Sequence, residues 1–219
     1  MKTPEEKIAF VRATLLPTVF RGYMVEDLKS LLAIDKTPGR VGACNFPIAL
    51  YVLSCMDYLG FLVATIEYRT KGEDTLERIR SYADACFPEF TKKELAGKWP
   101  AVKDIFRNGL THVFFPKQGG VSRVGSQNVL AVSADGRCVL DADALAHAFI
   151  ASIDNLKSLL MTDDALCERL FDRYQFLDNK RPAATIPQTS ATVSNSAATF
   201  TTTSPVLSSK TTLTLPPKM

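Results

Sequence analysis

Histidine is the scarcest of the residues that usually carry chemistry in this chain: two occur among 219, His112 and His147. Five cysteines (Cys44, Cys55, Cys86, Cys138, Cys167) are scattered with no CxxC pair. That odd, dispersed set does not suit a zinc centre or a disulfide framework, and it reads as reduced thiols in a cytoplasmic protein. No metal and no organic cofactor is expected. A GxxxxGK[ST] pattern is also missing, so Gly119-Gly120 followed by Ser122 and Arg123 does not read as a phosphate-cradling loop of a nucleotide hydrolase. The chain opens on the capping pattern Thr3-Pro4-Glu5-Glu6 and not on an apolar leader core, so secretion is not expected.

Acidic residues stop early. All 23 lie at or before Asp178, whereas Lys180, Arg181, Lys210 and Lys218 follow it, so the first part holds 22 basic against 23 acidic residues, a net of −1, and the remainder carries +4. A near-neutral domain sets up no global field for nucleic acid, so any RNA would have to be held locally, at a groove or a dimer seam. From Pro182 to Met219, 16 of 38 residues are Ser or Thr, with recurring prolines. Such a segment buries too little apolar surface to offset the cost of ordering. Two parts are therefore expected: a helical domain over residues 1–178 and a disordered Ser/Thr/Pro-rich tail over 179–219.

With 46% hydrophobic and 22% charged residues, the chain has ample material for one globular core. Thr3, Pro4 and Glu6 form a helix start of capping-box type, followed by apolar residues at Ile8, Val11, Leu15 and Leu16. Pro17 is expected to kink or divide this helix before a second piece with Val25, Leu28, Leu31 and Leu32. Residues 46–64 are almost continuously apolar and long enough to cross a bilayer. Yet Asp57 sits near the middle, with Pro47 and Gly60, and no basic cluster marks one side. A central helix buried on most sides, running from about Asn45 to Arg69, is the expectation, with no membrane as partner.

Further helices are expected from Asp74 to about Phe87, as a short turn opening at Thr91 with Glu94 in cap-box position, and from Trp99 to about Phe115. A loop over Gly119 to Ser126 leads to a hairpin, Val129–Val132 and Cys138–Leu140 around an Asp135-Gly136 turn. Two last helices follow, Ala142–Met161 and Thr162–Leu177. The expected fold is mainly α, an up-and-down bundle of five to six helices with a small β-hairpin before the last two.

The Trp99 helix holds the densest chemistry. Val102, Ile105, Phe106, Gly109 and Val113 form one apolar stripe, with Asp104, Arg107, Asn108 and Thr111 opposite and His112 at the border. Asn108 and His112 share a face, whereas Arg107 and His112 are splayed by about 140° around the axis. They are then too far apart to touch, but they can flank a phosphate or pair with the same groups of a second subunit. Gly109 between them lets another backbone or a substrate approach closely.

Arg107-Asn108-x-x-x-His112 resembles the signature of the HEPN superfamily, helical-bundle proteins whose arginine, polar residue and histidine at this spacing form the active site of metal-independent RNases. The resemblance implies a cytoplasmic homodimer, acting on RNA as a defence or toxin-like RNase, with an inhibitory protein as possible partner. It assigns His112 to general acid–base work on the ribose 2′-hydroxyl or leaving oxygen, Arg107 to the phosphate charge, and Asn108 to orientation. Asp57 and Glu67 are candidate supporting acids from another helix. Lys117 and Arg123, beyond the motif, are candidate contacts for an RNA backbone.

A plainer reading of the same residues stays open. His112 can be a half-buried helix-end histidine, Arg107 can pair with Asp104 one turn earlier, and the domain can be a non-catalytic dimeric bundle that binds RNA, a nucleotide or a protein. His147, between two alanines, reads as a core or interface histidine. Tyr51, Tyr58, Phe61 and Tyr68 read as bundle packing.

Overall fold

The computed structural model describes residues 2–36, 43–65, 74–113 and 115–179. Glu67, Tyr68, the side chain of Val113 and the tail from Lys180 onward lie outside them, so the expectations for those residues are not addressed by the structure. Among the described residues the fold is mainly α, with a small β element before the last two helices, as its pattern indicates.

Helix α1 (Pro4–Leu32) starts on the expected capping box: Thr3 Oγ1 accepts from the Glu6 N–H, and Glu6 accepts from the Thr3 N–H. Pro17 does not divide it: the helix continues through Val25 to Leu32. Proline cannot donate to the carbonyl one turn back and its ring crowds that turn, and the helix relieves both by widening, so that Val11–Val25 follows the i→i+5 pattern. Val11, Leu15, Leu16, Phe20 and Leu28 remain in the core.

Helix α2 (Asn45–Val63) is the central one. Its length and hydropathy match a membrane span, but Ile48, Val52, Leu53, Met56, Leu59 and Leu62 are fully buried against other helices of the domain. Helix α3 (Thr75–Cys86) lies along it, followed by α4 (Glu89–Leu95) and by α5, residues 99–113. The α4 helix begins two residues before the expected Thr91 start. Glu94 makes no cap, and instead reaches the sheet and accepts the Val129 and Leu130 N–H groups at 3.0 and 2.7 Å.

The expected hairpin is present as β2 (Leu130–Val132) and β3 (Cys138–Asp141), antiparallel, with Gly136 at φ 79 in the turn. A third strand, β1 (Gly119–Ser122), pairs parallel to β3 where only a loop is expected from the sequence. Its two glycines hide it from an apolar-alternation reading. Gly119 is required there, because a Cβ would lie 2.6 Å from Ile105 Cγ2 and 2.9 Å from the Cys138 carbonyl oxygen. Asp141 caps α6 (Ala142–Thr162) by accepting from the Asp143 and Ala144 N–H groups, and α7 (Asp164–Asn179) closes the domain.

Arg123, just past β1, locks this end of the fold. Its side chain is 4% exposed and donates to Asp143 at 2.8 Å and to the carbonyls of Leu32, Ile34 and Ala43. Burial works to raise the Asp143 carboxyl, but hydrogen bonds from Lys36 and Arg123 outweigh it and hold it below the usual carboxylate range. Arg123→Ala leaves the buried Asp143 with Lys36 alone and removes the donor to three carbonyls, so urea unfolding should show a loss of about 2–3 kcal/mol. A midpoint unchanged from wild type would contradict this role.

Candidate functional site

Helix α5 carries the motif, and its local winding decides where the motif points. Trp99, Val102, Phe106 and Leu110 are buried and Ile105 is half-buried, so the expected apolar stripe is present, extended by Leu110. Residues Val102–Arg107 again follow the wide i→i+5 pattern before Asn108–Val113 returns to α-helix. Local widening of this kind re-aims a side chain without ending the helix.

The widened stretch ends at Arg107, whose guanidinium reaches inward. Its Nη2 donates to Asp57 Oδ2 on α2 at 3.2 Å, while its Nε is buried with no hydrogen-bond partner. Asp57 Oδ1 in turn accepts from Arg78 Nε on α3 at 2.5 Å. Arg78 is nearly buried and also donates to Thr75 Oγ1 at 3.1 Å. One carboxylate therefore ties two guanidinium groups from two different helices.

This cluster depends on Gly60. It follows Asp57 by three residues, on nearly the same face of α2, and the Arg78 backbone sits where its side chain would be: a Cβ would lie 1.8 Å from the Arg78 carbonyl oxygen. Only glycine lets α3 come close enough to bring Arg78 onto Asp57.

Asn108 donates to Asp104 Oδ1 at 3.3 Å, and Thr111 to the Arg107 carbonyl at 2.7 Å. His112 is exposed, not at a half-buried border, and among the described residues no hydrogen bond or ion pair engages its imidazole. The partner of Arg107 is Asp57, not the nearer Asp104. Of the expected site residues, then, Asp57 of α2 and Arg107 of α5 are joined, Asn108 follows Arg107 on α5, and His112 stands apart in solvent.

Gly109 does admit a close backbone, and that backbone is the chain's own. A Cβ there would lie 2.7 Å from the Phe115 carbonyl oxygen and 2.9 Å from the Lys117 nitrogen. The Lys117 N–H donates to the Ile105 carbonyl at 3.0 Å, folding the turn back onto α5. Lys117 is thus an exposed cation beside the motif. Arg123 is buried in its lock with Asp143, which corrects the expectation that it offers a surface to an RNA backbone. His147 is exposed on α6 and lines a cleft with Lys36, Thr91 and Ser126, so it is not a core residue.

Next to the cluster is an open cleft of about 240 Å³, lined by Ser54, Asp57, Tyr58 and Phe61 of α2, Arg78 of α3 and Leu177 of α7. Arg78 escapes the sequence reading, although a signal is available: an aspartate inside an apolar helix must meet a cation, and Arg78 sits beside Ile79 and one turn before Tyr82 on the buried side of its helix. Compared with known proteins, the chain matches no family model, no curated protein and no solved structure, so the reading of this site rests on its residues and geometry.

Proposed function

We propose that the domain is a metal-independent endoribonuclease of the HEPN type, working as a homodimer on RNA. The observation that carries this reading is an exposed imidazole at His112, engaged by no group among the described residues, on the same helix as Arg107, whose guanidinium is held in place by Asp57. An imidazole in contact with water can both accept and donate a proton, and a tethered guanidinium loses little entropy when it meets a phosphate.

In-line cleavage needs one group to take the 2′-hydroxyl proton and another to give a proton to the departing 5′-oxygen. The 2′-oxygen bonds to phosphorus, the P–O5′ bond breaks, and a 2′,3′-cyclic phosphate and a 5′-hydroxyl result. Each chain has one His112, so two facing copies supply base and acid, which is why the reading includes a dimer. Arg107 offsets the charge building on the phosphoryl oxygens, and Asn108 and Lys117 flank the path of the backbone.

The test is cleavage of mixed RNA in EDTA by the full chain, with His112→Ala beside wild type. Because His112 is exposed and engages nothing among the described residues, its loss should leave the melting temperature within about 1 °C. Cleavage should fall by about 100-fold or more, the usual contribution of a general acid or base. Equal cleavage by both proteins overturns the reading. The inward tie of Arg107 to Asp57 favours a second reading, a non-catalytic bundle that binds RNA, a nucleotide or a protein partner. A wild type that binds RNA without cleaving it would support that one.

A further inference from the structure

Charge is unevenly placed along the domain. Residues 89–137, from α4 to the end of the β2–β3 turn, hold 8 basic and 4 acidic residues, a net of +4. The rest of residues 1–178 holds 14 and 19, a net of −5. The near-neutral total therefore conceals a basic portion, and the motif lies inside it.

Ion pairing sharpens the contrast. All four acids in this portion are engaged: Glu89 by Lys92, Glu94 by the Val129 and Leu130 N–H groups, Asp104 by Asn108, and Asp135 by Arg137. Arg107 and Arg123 are tied to Asp57 and Asp143. Lys93, Lys98, Lys103 and Lys117 remain, and none of them meets a carboxylate among the described residues.

Three of these lysines gather where α5 meets the sheet. The Lys117 N–H donates at 3.0 Å to the carbonyl of Ile105, two residues after Lys103. Lys98, at the start of α5, lies close enough to Cys138 on β3 for its charge to oppose the upward push of burial on that thiol. Cys138 in turn is paired with Gly119, two residues past Lys117. Lys98 and Lys117 are exposed and Lys103 is half-buried. Phe115 stands in the same turn as Lys117, 60% exposed, with its ring edge-to-face with Phe46 at 5.5 Å.

Charge complementarity calls for a polyanion over these lysines, and the exposed ring narrows the choice. A duplex offers phosphates to the lysines but keeps its bases stacked inside, away from Phe115. A single strand offers both a phosphate at each nucleotide and an open base face, the combination that basic surfaces with aromatic side chains bind. We infer that the junction of α5 with the sheet is a binding surface for single-stranded RNA, with Lys98, Lys103 and Lys117 on the backbone and Phe115 under a base. The inference rests on the nuclease reading for the polymer. It adds the form of the RNA and the surface that holds it beside His112, three residues before Phe115.

Fluorescence anisotropy of the full chain in EDTA, with a labelled 2′-O-methyl RNA strand of about 12 nucleotides, tests it. The methyl group removes the attacking hydroxyl, so binding is read without cleavage. Each of Lys98→Gln, Lys103→Gln and Lys117→Gln should reduce the slope of log affinity against log salt by about 0.7, and the triple variant should bind about 10-fold or more weakly. Lys157→Gln removes an exposed lysine from α6, outside the basic portion, and should leave binding unchanged. Phe115→Leu keeps an apolar contact for Phe46 and loses the aromatic face. It should weaken the single strand about 5-fold or more and leave a duplex of the same length unaffected. If the triple variant or Phe115→Leu binds the single strand as wild type does, if Lys157→Gln weakens it as much as the other lysine variants do, or if Phe115→Leu weakens the duplex equally, the inference fails.

Cleavage of unmodified RNA separates this failure from that of the nuclease reading. Wild type and triple variant that cut RNA equally well, with equal affinity for the single strand, remove the surface and leave the nuclease. Absence of cleavage, with single-strand binding that the triple variant and Phe115→Leu both weaken, removes the nuclease and leaves the surface. His112→Ala should lose cleavage and keep binding of the 2′-O-methyl strand.

Discussion

Gly60→Ala should destabilise the domain by at least about 3 kcal/mol, at or beyond the upper end of ordinary overpacking. The added carbon would lie 1.8 Å from the Arg78 carbonyl oxygen, 2.3 Å from its carbonyl carbon and 2.9 Å from its Cα. All three are backbone atoms, so no side chain can rotate aside, and α3 must back away from α2 along its length. The buried residues Ile79, Tyr82, Ala83 and Cys86 on α3 move with it. A loss of this size lowers the melting temperature by roughly 6–12 °C in a domain of this length. Gly60→Val, which adds two more carbons to the same space, should leave little folded protein, given total stabilities of about 5–15 kcal/mol. Thermal melts followed by circular dichroism give the answer, and a shift of under about 2 °C for Gly60→Ala would show that the two helices are not in contact there.

The same close approach explains what the sequence conveys and what it does not. The α1 start, the central apolar helix, the hairpin and the last two helices are legible because each depends on local signals: a capping box at Thr3 and Glu6, a run of apolar residues, an Asp135-Gly136 turn. Strand β1 is not legible, because a parallel partner is chosen by long-range contact and Gly119-Gly120 carries no apolar alternation. Pro17 misleads for a related reason. A proline penalises the regular α-helical turn, but a wider turn is open to a helix whose apolar face is held by its neighbours.

At the site, the sequence places Arg107, Asn108 and His112 on one helix and singles out Asp57 as a candidate supporting acid, without showing what it pairs with. Its role as the shared partner of two arginines requires α3 against α2, which only Gly60 permits. His112 lies further toward solvent than uniform rotation at 100° per residue indicates, because Val102–Arg107 winds more slowly and rotates the last turns of α5 about its axis. Arg123 shows the limit of reading cations near a glycine loop as surface features. Its three carbonyl partners come from segments about 80 to 91 residues away in the chain, beyond the reach of local pattern.

Asp57→Ala should cost about 3–5 kcal/mol, the range for removing one partner from a buried ionic arrangement. Arg78 and Arg107 have side chains 8% and 21% exposed, and the deletion leaves both mostly buried guanidinium groups without this carboxylate. The other two truncations should both be milder, in a definite order. Arg107→Ala leaves Asp57 paired with Arg78 and removes a guanidinium whose Nε is already without a partner, so it should cost about 1–2 kcal/mol. Arg78→Ala removes the more buried member and the Thr75 bond as well, so it should fall between. Asp57→Asn keeps the shape and an accepting oxygen but not the charge, and should recover about half of the loss seen with alanine. Urea unfolding of the four variants checks the order, and a double-mutant cycle on Asp57 and Arg107 measures their coupling. A coupling near zero would mean that Asp57 serves Arg78 alone, and Arg107 would then be free to swing toward solvent and His112.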